Sequence, residues 1–150
     1  LHPQYRQVVR TYTQGDQVEV IDKAASCFDL AKIKESIDDQ TAILVWQNPD
    51  FLGHLYSPAE MSALAEAAHA HGALFAVAAD PVSLGLFTPP GAYGADIVTA
   101  EGQAAGNAIS FGGPYLGIFA FKKKYVHKSS GRIVGATEDP QGRKGYVLTL

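Results

Sequence analysis

Cysteine is almost missing from this chain. Its one cysteine, Cys27, has no second thiol in the sequence, so neither an internal disulfide nor a paired-cysteine metal site can form. That usage fits a reducing compartment. Long apolar runs are missing too: none approaches the ~20 residues that a membrane helix needs. The opening residues Leu1-His2-Pro3-Gln4-Tyr5-Arg6 form no apolar signal segment. Together these absences lead to the expectation of a cytoplasmic protein with no membrane role. A basic excess is also lacking. Twelve Lys and Arg stand against fifteen Asp and Glu, for a net charge of -3. The whole chain therefore has no positive field with which to displace counterions from nucleic acid, and no nucleic-acid role is expected. No internal repeat, low-complexity tract or linker divides the sequence, and a single domain over residues 1–150 is expected.

What is present suits a globular core. Of the 150 residues, 47% are hydrophobic and 18% charged, near ordinary soluble composition. The chain begins without methionine and ends on the alternating run Tyr146-Val147-Leu148-Thr149-Leu150, where a strand would still need neighbours. It therefore reads as a fragment, with further residues of any site expected outside it.

The local patterns alternate between strand and helix. Val18 to Ile21 is a short β-prone run, and Asp29 is placed to cap a helix carrying Leu30, Ile33 and Ile37. Thr41 to Trp46 is a continuous apolar run of the kind found in strands covered on both faces, and Asn48-Pro49-Asp50 ends it. Ser57-Pro58-Ala59-Glu60 has the form of a capping box with proline at the first helical position. Met61, Leu64, Ala65 and Ala68 then fall on one helical face, and Gly72 supplies a left-handed stop. Leu74 to Ala79 is the next buried strand, which makes a parallel βαβ unit the expectation. A short strand around Asp96 to Thr99, a glycine-rich loop from Gly102 to Gly113, a strand from Tyr115 to Phe121 and a basic turn from Lys122 to Lys128 complete the pattern.

Several residues merit a functional and a plain interpretation side by side. Asp80 ends a buried strand at its carboxyl end, where open α/β sheets bind ligands; it is equally placed to cap the next turn. The loop from Glu101 to Tyr115 lacks the glycine order of a phosphate-binding loop or a dinucleotide site. Ala108-Ile109-Ser110-Phe111-Gly112 imitates a nucleophile elbow, but the chain order of serine, acid and histidine fails because His127 precedes Asp139. A hydrolase is not supported. His69 and His71 stand two apart and do not share a helix face, while His2, His54 and His127 stand alone, so no metal site is expected. Lys122-Lys123-Lys124 is most simply a solvated face, with steering of an anionic partner as the alternative.

The wording of longer segments carries more. Gln47-Asn48-Pro49-Asp50-Phe51-Leu52-Gly53, Asp80-Pro81-Val82-Ser83-Leu84-Gly85-Leu86 with Pro89-Pro90-Gly91, and Gly94-Ala95-Asp96-Ile97-Val98 stand in order with Glu101-Gly102-Gln103, Ser110-Phe111-Gly112-Gly113-Pro114-Tyr115-Leu116-Gly117 and Gly131-Arg132-Ile133-Val134-Gly135. Over essentially the whole chain these resemble the P-protein family of the glycine cleavage system, glycine dehydrogenase (decarboxylating). The Glu-Gly-Gln and Ser-Phe-Gly-Gly-Pro-Tyr wording resembles the first subunit of its separate-subunit form.

That resemblance implies an α/β fold in which this chain is part of the large domain of a fold-type-I, aminotransferase-like transferase dependent on pyridoxal 5'-phosphate (PLP), a mostly parallel sheet flanked by helices. It implies that Asp80 matches the aspartate that partners the pyridine nitrogen, here as a remnant. Catalytic relatives carry a His-Lys pair whose lysine forms the Schiff base, and the corresponding stretch here reads Gln103-Ala104. Alanine has no amine for that chemistry. The implied role is a non-catalytic subunit: the cofactor sits on a catalytic second subunit, glycine is decarboxylated there, and the aminomethyl group passes to the lipoyl arm of the carrier H-protein. Asn107, Ser110, Gly112, Gly113 and Tyr115 become candidates for an active-site wall or interface. Two alternatives stand beside this one. A self-sufficient PLP aminotransferase or lyase would show the visible absorbance of a lysine imine in the isolated chain, and a scaffold-only homologue would associate without affecting decarboxylation.

Overall fold

In the computed structural model, residues 1–22, 29–129 and 131–149 are described; Cys27 lies outside them. The chain divides into two compact units, Leu1–Ala120 and Phe121–Leu150.

In the first unit the capping patterns act as expected. Asp29 Oδ1 accepts from the Ala31 amide at 3.1 Å and starts helix α2, Leu30–Glu35. Ser57 starts α3, Pro58–Ala70, with a complete capping box: its hydroxyl accepts from the Glu60 amide while Glu60 Oε2 accepts from the Ser57 amide at 2.8 Å. Gly72, at φ +75°, turns the chain after His71. Strand β1 runs Ile43–Asn48, β2 Leu74–Ala79 and β3 Ile97–Glu101. β1 pairs in parallel with β2 from Ile43 opposite Leu74 to Asn48 opposite Ala79, and β2 pairs in parallel with β3 from Ala76 opposite Ile97. A fourth strand, β4, Gly117–Phe121, follows β3 in the sheet order. The two apolar runs differ in outcome. β2, with a strand on each side, is largely buried, whereas β1 stands at the end of the strand order and leaves Ile43 and Val45 exposed. The expectation of cover on both faces therefore holds for β2 and not for β1.

The core lies between α3 and the sheet. Met61, Leu64, Ala65 and Ala68, the four residues of the expected apolar face, are buried with Phe75 and Val77 of β2. Leu44 and Trp46 of β1 and Val98 of β3 pack against the same cluster. The left-handed Gly94, at φ +101°, is a packing requirement as well as a turn, since a β-carbon there would lie 3.0 Å from that of Ala65. Asp96 follows at 1% exposure. Its amide donates to the Phe75 carbonyl at 2.8 Å, and its Oδ2 accepts from the Phe75 amide at 3.0 Å.

Three sequence expectations need correction. Val18 to Ile21 forms no strand: β-branched residues make a strand only where another backbone pairs with them, and Val18 and Ile21 are exposed. The first apolar run enters the sheet at Ile43, not Thr41, and the later one at Gly117, not Tyr115, because the backbone of Leu116 is bonded to the loop base at Glu101 and Gly102. The opening segment, read only as non-signal, is helix α1, Pro3–Tyr12, with His2 Nδ1 accepting from the Gln4 amide at 3.1 Å. Proline at its first position and Tyr5, Val8, Val9 and Tyr12 at helical spacing were the available signal.

The second unit is built on an antiparallel hairpin of β5, Ile133–Glu138, and β6, Lys144–Thr149. The terminal run around Tyr146 therefore has a strand neighbour, which the sequence reading did not assign. Asp139 shapes the turn between the two strands. Its Oδ1 accepts from the amides of Gln141 and Arg143, both at 2.9 Å, and Oδ2 from Arg143 Nε at 2.7 Å. The Arg143 bonds hold the Asp139 carboxyl below its ordinary pKa.

Candidate functional site

Parallel strands bring their carboxyl ends to one edge of the sheet, and a cleft of about 560 Å³ opens there. Gln47 from the end of β1, Asp80 after β2, Thr99 and Glu101 from β3, Asp50 from the loop after β1 and Tyr5 from α1 line it. Asp80 has the capping role and also stands at the cleft. Its Oδ1 caps the following turn, accepting from the Val82 amide at 3.0 Å, while the residue remains part of the cleft. Its main-chain oxygen accepts from the Ser83 hydroxyl at 2.6 Å.

The loop after β1 is tied down by two side chains. Asn48 accepts from the Tyr56 amide and donates to the Tyr56 carbonyl, each at 3.1 Å, closing the loop between two residues eight positions apart. Inside it, Asp50 Oδ1 accepts from the Leu52 amide at 2.8 Å and the His54 amide at 2.9 Å, and Oδ2 accepts from the Tyr56 hydroxyl at 3.2 Å. Burial works to raise the pKa of Asp50, but the His54 and Leu52 amides, with the His54 ring, outweigh it and hold the carboxyl below its ordinary value. Burial and the neighbouring Asp50 charge push the Tyr56 phenol up to about 12. Asp50 is therefore an ionised, fully engaged group that shapes one lip of the cleft.

Glu101 does the same for the opposite lip. Its Oε1 accepts from the Gln103 amide at 2.9 Å and from the Leu116 amide at 2.8 Å, and the Gly102 amide donates to the Leu116 carbonyl at 2.6 Å. One carboxylate thereby fastens both ends of the glycine-rich loop. Ala104 lies in the 3-10 turn Gln103–Ala105 directly after β3, exposed. Asn107 follows, with its amide bonded to the Gln103 carbonyl at 2.9 Å. Ser110, Phe111 and Gly112 then take φ values of 41°, 56° and 99°. Left-handed backbone is costly for the first two and natural only for the glycine. At Gly113 a β-carbon would collide with the Ile109 carbonyl oxygen and come within 2.9 Å of that of Ala108. Tyr115 is exposed.

The structure thus brings Asp80 to the cleft, whereas Asn107, Ser110, Gly112, Gly113 and Tyr115 are on the loop and do not line it. Gln47, Asp50 and Glu101 belong to longer sequence motifs, and the fold adds them to the cleft. The strand-end rule that singled out Asp80 would have found Glu101 as well. The cleft's ionisable lining consists of Tyr5 and three carboxylates, Asp50, Asp80 and Glu101. It offers no amine for an imine with PLP and no cation for a phosphate. The donor set of these residues does not fit covalent cofactor binding.

Elsewhere, two histidines meet carboxylates. His69 Nε2 is 2.6 Å from Asp96 Oδ2, and His71 Nδ1 is 2.7 Å from Asp39 Oδ1. Among the described residues, no three His, Cys, Asp or Glu side chains are grouped to hold a metal ion, and no helix is long and apolar enough to cross a membrane.

A mostly parallel α/β sheet flanked by helices, with its cleft at the strand ends, defines a piece of a PLP-transferase-like fold. The family model for the glycine cleavage system P-protein matches residues 1–150. The chain belongs to that family. It is 47% identical to the probable glycine dehydrogenase (decarboxylating) subunit 1 of Carboxydothermus hydrogenoformans, covering 100% of this chain and 34% of the relative. The corresponding protein of Desulforamulus reducens is 48% identical, with 100% and 33% covered. A solved structure, glycine decarboxylase (P-protein) of the glycine cleavage system in inhibitor-bound form, superposes with a TM-score of 0.83 at 39% identity, covering 100% of this chain and 33% of that one. The chain spans about a third of the length of these relatives.

Proposed function

We propose that this chain is part of the non-catalytic first subunit of a two-subunit glycine decarboxylase, and that residues 1–150 belong to the single large domain of that subunit. The observation that carries this is Ala104. It occupies the turn after β3, beside a cleft whose ionisable lining is three carboxylates and a tyrosine, so this chain supplies no amine at that place. PLP, when bound to the catalytic second subunit, supplies the electron sink for loss of carbon dioxide from glycine. No step is assigned to a cofactor on this chain. Its own residues position and exclude: Glu101 and Asp50 fix the two lips of the cleft. The loop residues Asn107, Ser110, Gly112, Gly113 and Tyr115 wall the companion's active site and keep water out. The aminomethyl product then passes to the lipoyl arm of the H-protein. The assembly works in the cytoplasm, and Asp80 is a remnant of the cofactor partner, retained because it caps a turn.

The test uses both full-length subunits, incubated with PLP, reduced with borohydride and weighed separately by mass spectrometry. A pyridoxyl adduct on the companion alone is expected. A stoichiometric adduct on one lysine of this subunit would make it self-sufficient and end the proposal.

A further inference from the structure

The chain between β3 and β4 is bonded mainly to itself, in two arms. In the first arm the Ala105 amide donates to the Gly102 carbonyl, and the Gly106 and Asn107 amides donate to that of Gln103. In the second, the Gly112 and Gly113 amides donate to the carbonyls of Ile109 and Ser110. Among the described residues, only two hydrogen bonds tie the second arm back to Glu101 and Gly102 at the end of β3, and both fall on Leu116. Its carbonyl accepts from the Gly102 amide at 2.6 Å, and its amide donates to Glu101 Oε1 at 2.8 Å. Ser110, Gly112, Gly113 and Tyr115 all depend on that junction, and half of it is one side chain.

Glu101 Oε1 accepts from two amides at once, that of Gln103 nearby and that of Leu116 across the loop. The near bond is one that a shorter side chain makes readily: Asp38, Asp50, Asp80 and Asp139 each accept from the amide two residues further on. The cross-loop bond needs the longer side chain. The Gly102 to Leu116 bond beside it is already at the short limit for an amide and a carbonyl, so the strand end cannot move closer to offset a shorter reach. Glu101 is exposed, and its bonds compete with water, so they contribute little to overall stability. Their effect is on where the second arm stands.

We infer that Glu101 is a positioning residue for the glycine decarboxylation proposed above, acting by the reach of its side chain and not by its charge. The inference rests on the reading that this loop walls the companion's active site, and adds the residue that sets where the wall stands. Without the cross-loop bond the second arm is held by the Gly102 bond alone, and a displacement on the order of 1 Å at a site is enough to cost ~100-fold in rate.

The test uses the full-length subunit and its companion. Glu101→Gln keeps an acceptor oxygen at the same reach and removes the charge; Glu101→Asp keeps the charge and shortens the reach. Both isolated variants should melt close to the wild type. Hydrogen exchange at the Leu116 amide should be unchanged in Glu101→Gln and faster in Glu101→Asp, with exchange at Gln103 unchanged in both. At saturating subunit concentrations, Glu101→Gln should keep kcat within about twofold while Glu101→Asp lowers it by about tenfold or more, with KM for glycine little changed. Equal kcat in the two variants overturns the inference. So does a greater loss in Glu101→Gln, which would assign the effect to charge. Faster exchange at Leu116 with undiminished kcat would mean that the bond holds a loop that is no wall, and removes both readings. Unchanged exchange at Leu116 in Glu101→Asp, together with a reduced kcat in Tyr115→Ser, overturns the positioning role alone and leaves the wall in place.

Discussion

His69 and Asp96 are 27 residues apart in sequence, yet Nε2 of the first lies 2.6 Å from Oδ2 of the second. The same carboxylate oxygen accepts from the Phe75 amide, so Asp96 joins the last turn of α3, the start of β2 and the start of β3. It is buried, whereas His69 is over a third exposed. The buried amide and the partly exposed imidazole should therefore contribute unequally.

The first prediction follows from that inequality. Asp96→Ala leaves the Phe75 amide buried without its acceptor, which should lower stability by about 1–3 kcal/mol. His69→Ala removes a partly screened partner and should cost at most about 1 kcal/mol. Urea denaturation of the full-length subunit measures both. Equal losses would show that the amide contributes nothing.

A second prediction concerns the α3 cap. Ser57→Ala removes the side-chain acceptor for the Glu60 amide and should lower stability by ~1 kcal/mol, at unchanged specific activity of the folded complex. Lost activity at full folding would assign Ser57 a role beyond capping.

These two cases mark what was legible in the sequence. The cap, the apolar face of α3 and strand β2 are written in adjacent residues whose spacing has a direct steric meaning, and Leu74–Ala79 was located to the residue. The His69 to Asp96 contact has no local signature, since nothing in a helix end and a distant strand start states that they meet. In the cleft, Asp80 was legible because its strand is short, apolar and clearly ended. Asp50 was not, because its importance comes from folding back onto Tyr56 and onto the amides of Leu52 and His54. Strained backbone at Ser110 and Phe111 is likewise invisible in residues with no preference for a left-handed turn.

The third prediction is a pH dependence. Asp50 has its pKa lowered in the folded chain, so its contribution to stability is complete above the unfolded carboxylate value of about 4. It disappears as pH falls through the lower folded value. The melting temperature of the full-length subunit should therefore exceed that of Asp50→Asn near neutrality, with the gap narrowing only under acid conditions. A gap that is constant from pH 7 to pH 3 would show that ionisation of Asp50 contributes nothing.

The last prediction separates structure from wall at Gly113. A β-carbon there would overlap the Ile109 carbonyl oxygen and crowd that of Ala108, and backbone atoms cannot swing aside as the end of a side chain can. Even Gly113→Ala should therefore distort the loop, lowering the melting temperature of the isolated full-length subunit before any companion is present, and Gly113→Val should lower it further. Tyr115→Ser provides the contrast. Its ring is largely exposed, so its removal should leave the isolated subunit stable while decreasing glycine decarboxylation by the assembled pair. If Gly113→Ala leaves the melting temperature unchanged, the close packing does not constrain the loop. If Tyr115→Ser leaves turnover unchanged in a saturated complex, Tyr115 does not belong to the wall, and a loss of turnover in Gly113→Val would then be attributed to the distorted loop alone.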